Sequence, residues 1–194
     1  MANTVYEKYD GSQVTESMLQ EAAELFSHNY GFWGKQAPTS AGTSANLLIH
    51  RDYRERGLAT GLLVELKEQD DEILGVMTSH PATCLAAARA FGCTIEAVQL
   101  DFIKEHAEGI IKLSPITYIR TARPYGSLFA SEDCDGAVSS ADTSFFVDHR
   151  EPCAALERVR QNRDWPLGEL LEGKEFLLIL EAKKGPRSST SARV

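Results

Sequence analysis

Between Asn46 and Gly92 the chain passes twice from a short apolar run into a helical pattern, and that order limits its folds more than any other feature. Asn46-Leu-Leu-Ile-His50 is apolar with an abrupt polar stop, as a buried strand would be. Gly57 to Gln69 then carries Leu58, Leu62, Leu63 and Leu66 on one side of a predicted helix. Ile73-Leu-Gly-Val-Met77 is a second strand candidate. Pro81 suits a first helical turn, and the alanine-rich stretch from Ala82 to Phe91 is closed by Gly92. The order predicts an α/β (α+β) chain with a parallel or mixed central sheet and flanking helices.

Elsewhere the periodicity predicts a helix from Val14 to Tyr30, capped by Thr15 or Ser12, and a loop from Gly31 to Ser44. Beyond Gly92, Thr94 to Leu100, Ile116 to Arg120, Ser144 to Asp148 and Glu175 to Leu180 are expected as strands. Helices are expected from Phe102 to Leu113 and from Pro152 to Arg163, with a surface loop over 125–144. The Ser- and Arg-rich tail from Lys183 is expected to be disordered.

With 194 residues, 43% of them apolar, the chain can bury a real core. No apolar run approaches the roughly 20 residues of a membrane span, and no basic-then-apolar leader opens the chain. A cytoplasmic or nuclear location is the resulting expectation. A net charge of −8 supplies no general attraction to nucleic acid or anionic lipid, so neither is expected as a partner. Cys84, Cys93, Cys134 and Cys153 form no CxxC pair, which argues against a zinc knuckle or a disulfide framework.

The local chemistry concentrates in Tyr53-Arg-Glu-Arg-Gly-Leu-Ala-Thr60. A strand end, a glycine turn and an immediate helix present free amides, because the first N–H groups of a helix have no intrahelical acceptor. Gly57 and Ala59 leave room for a diphosphate against the backbone, and Arg54 and Arg56 add cationic donors. The same residues also fit a solvated turn whose leucines only make core. A Rossmann nucleotide site fits worse, since the GxGxxG spacing is absent.

Arg54-x-x-Gly57-x-Ala59 resembles the diphosphate-binding motif of the GNAT superfamily of acyl-coenzyme A-dependent N-acetyltransferases, written Gln/Arg-x-x-Gly-x-Gly/Ala. Tyr53-Arg54 matches the common lead-in, Asn46 to His50 resembles the fourth strand, Ile73 to His80 the fifth, and Pro81 to Gly92 the helix beside the pantetheine arm. The resemblance covers residues 45 to 92. It implies a GNAT-like fold with acetyl-CoA as co-substrate, no metal, and a small-molecule or peptide amine as acceptor. It also implies a cofactor-binding set of Leu48, Ile49, Arg54, Arg56, Gly57, Leu58, Ala59 and Thr60.

The chain departs from that family in three places. The register of the usual carboxylate holds Asn46, and the register of the usual proton-donating Tyr holds Ala88. Gly31 to Ser44 is also too short for the family's N-terminal strands, so a fold lacking some of them is expected. His80, at a strand end beside the pantetheine path, is the candidate catalytic residue, with helix capping as its plainer role. Cys84 and Asp148-His149 are further candidates, and Trp33 and Trp165 are expected to pack. The expected organisation is a shortened acyl-CoA core over 1–93, a C-terminal α/β extension over 94–182 and a tail over 183–194. Two functions stay open from the residues: an N-acyltransferase, and a degenerate relative that binds CoA or a protein partner without turnover. Homo-oligomerisation is open as well.

Overall fold

The computed structural model describes residues 4–29, 47, 49–67, 73–114 and 116–181. The loop over Gly31–Ser44, with Trp33, the positions Asn46 and Leu48, and the tail from Lys183 lie outside the described residues. Those described fold as an α+β chain, with α1 (Glu16–Asn29), α2 (Leu58–Leu66), α3 (Pro81–Ala90), α4 (Leu100–Leu113), α5 (Thr117–Thr121) and α6 (Arg150–Arg160). The strands are β1 (Ile73–Thr78), β2 (Arg123–Tyr125), β3 (Ser140–Asp142) and β4 (Lys174–Glu181), in sheet order β1-β4-β3-β2.

Every strand pair in that sheet is antiparallel, which corrects the parallel or mixed arrangement expected from element order. β1 does not pair with the apolar run that precedes it in sequence. It pairs along its whole length with β4, from Ile73 opposite Glu181 to Thr78 opposite Phe176. β4 is the longer of the two inner strands, and Phe176 to Leu180 are all buried. A strand covered on both faces reads as a continuous apolar run, and full burial of each such side chain stabilises by about 1.5–3 kcal/mol.

Apart from α5, the helices overlap the stretches expected to be helical. The Thr15 hydroxyl accepts from the Met18 amide at 3.3 Å and caps α1. α4 buries Ile103, Ala107 and Ile111, one face at i, i+4 and i+8. Gly75 admits it closely: a Cβ there would strike the Ile110 side chain. α3 buries Cys84, Ala86, Ala87 and Ala88, small residues that let the helix approach its neighbours. Trp165 packs edge-on against Phe176 at 5.0 Å, and its indole N–H donates to the Gly168 carbonyl at 3.0 Å. Residues on either side of position 93 thus share one sheet and one apolar cluster.

Three expected strands are not strands. Thr94 to Leu100 holds a 3-10 turn at Ile95–Ala97, Ile116 to Arg120 forms most of α5, and Ser144 to Asp148 is irregular. Conversely, β3 lies inside the stretch expected as loop over 125–144. Short apolar runs fit a helical turn as well as a strand, and a three-residue strand has no period to read. Among the described residues no helix is long and apolar enough to cross a membrane.

Candidate functional site

A 3-10 turn at Arg51–Tyr53 leads into the corner before α2. Glu55 and Gly57 take left-handed φ values of 62° and 78°, which reverse the chain and start the helix at Leu58. Gly57 is the N-cap and supplies no side chain to the first helical amides. Space above it is open, since a Cβ built there meets nothing within 4 Å. Leu58, Ala59 and Thr60 follow as the first turn, half-buried, so the described turn agrees with the sequence on where helix α2 begins. One turn further, Tyr6 lies against Gly61, whose missing side chain makes room for the phenol ring.

Two arginines flank the corner. Arg56 donates to the Asp52 carbonyl at 2.8 Å, and its guanidinium stands 5.1 Å from the centre of the Tyr53 ring. Arg54 is half-buried, donates through Nε to the Ile49 carbonyl at 3.2 Å, and pairs through Nη1 with Glu151. Ile49 and His50 make no strand pairing, so the part of Asn46 to His50 that is described does not form the expected strand.

His80 ends the segment after β1 and caps α3, its Nδ1 accepting from the Ala82 amide at 3.1 Å. Its Nε2 lies 3.7 Å from Oε1 of Glu151. Burial lowers the His80 pKa, the Glu151 carboxylate opposes that, and Arg54 and Arg158 add to the lowering. With the Nδ1 lone pair engaged by the helix, the neutral ring carries its proton on Nε2 and directs it toward Glu151. Arg54, His80 and Glu151 therefore form one polar constellation joining α2's turn, the start of α3 and the first turn of α6.

Glu151 is the member the sequence did not single out. It stands 97 positions from Arg54, and an acidic residue in a first helical turn is too ordinary a signal to mark a site. The other candidates separate from this cluster. Cys84 is fully buried, and burial pushes its thiol up to about 12, which removes it as a nucleophile at neutral pH. The Asp148 carboxylate is held by Arg150 Nε at 3.0 and 2.9 Å, and that pairing takes it down to about 2. His149 is the N-cap of α6, and burial lowers its pKa. Among the described residues no cluster of His, Cys, Asp and Glu is placed to hold a metal ion.

No family model matches the chain, nor does any curated protein or solved structure.

Proposed function

We propose that the chain is an acyl-coenzyme A-dependent N-acyltransferase whose corner from Arg54 to Thr60 holds the diphosphate of the acyl carrier. The observation that carries this reading is the uncapped, open N-terminus of α2 behind left-handed Gly57, flanked by Arg54 and Arg56. Helix dipole, free amides and two guanidiniums all favour the same ligand charge. The Arg54 contact to Glu151 gives the site a second function. A diphosphate that draws Arg54 to itself releases the Glu151 carboxylate beside His80, where it can take the proton of an attacking amine. The amine nitrogen forms its bond to the thioester carbonyl carbon, and the carbon–sulfur bond breaks to release the CoA thiol. The rate arises mainly from holding the two reactants together.

A degenerate CoA-binding protein is the second reading. Ala88 is fully buried in the register where the family places a proton-donating Tyr, and the His80 lone pair is committed to capping. Thermal unfolding with acetyl-CoA tests the shared claim. A ligand at about 100 times its Kd raises stability by about 2.7 kcal/mol. Gly57→Glu is expected to abolish that rise while leaving the far-UV spectrum native; a retained rise refutes the cradle. Release of free thiol with a mixture of amines then separates turnover from binding alone.

A further inference from the structure

We propose that the groove between α4, α5 and β2 binds a small organic anion with an apolar body, such as an aryl or short-chain acyl carboxylate. The groove is an open one of about 560 Å³. Lys104 and Lys112 reach it from α4, Arg120 from the end of α5 and Arg123 from β2. One lining carboxylate, Glu108, opposes those four cations, and it is already paired with Lys112 at 3.1 Å. In a chain of net charge −8 this is a local inversion of sign that favours an anion.

The lining explains why the anion would be organic. The half-buried Pro124 and Phe129 line the groove beside Ala107, Ile111 and Ala122, which are themselves buried. Inorganic phosphate would leave the accessible parts of Pro124 and Phe129 wet, whereas a phenyl or alkyl group covers them. Arg120 is held in position, its Nη1 donating to the Ser114 carbonyl at 3.1 Å and its Nη2 to the Thr117 hydroxyl at 3.4 Å. Among the described residues Lys104 and Arg123 are in no ion pair, so an entering carboxylate displaces no partner from them. A polyanion fits less well: one short groove offers few phosphate contacts, and the chain's net negative charge repels the rest of the strand. None of these residues belongs to the corner at Arg54–Thr60, so this proposal stands or falls apart from the acyltransferase reading.

Amide chemical shifts of the full chain, titrated with benzoate, benzamide and inorganic phosphate, test the proposal. Benzoate is expected to shift the α4 and β2 amides saturably, with benzamide and phosphate each at least about tenfold weaker. Lys104→Glu combined with Arg123→Glu is expected to weaken benzoate by at least about tenfold and to leave the acetyl-CoA response unchanged. Equal binding of benzamide, unaltered affinity in the double variant, or no saturation below about 10 mM overturns the proposal. Should the double variant lose its native spectrum, Lys104→Gln and Arg123→Gln are made singly. Each is expected to weaken benzoate by about threefold, and unchanged affinity in both overturns it too.

Discussion

From Cys84 to Leu180 the buried apolar side chains join into one cluster, whereas α2 and the corner before it place no side chain fully inside. Leu63 only leans on that cluster from outside, and Val64 and Leu66 are exposed. The difference separates two kinds of support. The sheet is held by area removed from water, which is strong and indifferent to ligands. The corner is held by a part-exposed pair, Arg54 with Glu151, and by the bond from Arg54 Nε to the Ile49 carbonyl; surface pairs of that kind contribute about 0–1 kcal/mol. Groups held so lightly exchange partners at little cost.

The widest gap between the regions is expected at Leu178, which is fully buried in β4. Leu178→Ala should cost about 2–5 kcal/mol in denaturant unfolding, against no more than about 0.5 kcal/mol for Leu66→Ala. Hydrogen exchange sharpens the contrast, because amides of β4 should open only with global unfolding while those of α2 open locally. Equal protection of the two would break the comparison.

Glu175 marks a weakness within the strong region. It lies in β4 with 2% of its surface exposed, and its Oε2 has no partner among the described atoms. Burial raises its pKa from an ordinary 4.5 to about 7, against a smaller lowering by the Thr143 hydroxyl. The unfolded chain therefore gives up this proton near 4.5 and the folded chain near 7, so stability falls as pH rises between those values and levels off above. Glu175→Gln should flatten that slope and stabilise the protein above pH 7 by up to about 3 kcal/mol, read from unfolding midpoints across pH. A slope unchanged in the variant would place the titration elsewhere.

His80 sits on the boundary between the regions, and a smaller effect than at Leu178 or Glu175 is expected there. His80→Ala leaves the Ala82 amide uncapped and should cost about 1 kcal/mol, with His80→Asn recovering most of it. A larger loss, unrecovered by Asn, would mean that the contact to Glu151 also binds α3 to α6.

The starts of three helices are legible in the sequence. Thr15 marks the cap of α1, Gly57 the start of α2, and Pro81 and the alanines α3, because caps and φ preferences act within a few residues. Ile73–Thr78 and Lys174–Glu181 were legible as strands for the same local reason. The antiparallel pairing of β1 with β4, the three-residue strands β2 and β3, and the meeting of Arg54, His80 and Glu151 were not. Each joins segments far apart along the chain, and only the burial of the shared core decides which distant backbones and charges become neighbours. The amino-acid order alone thus marked the starts of α1, α2 and α3, while tertiary packing decided which carboxylate stands beside the Arg54 corner and how the sheet runs.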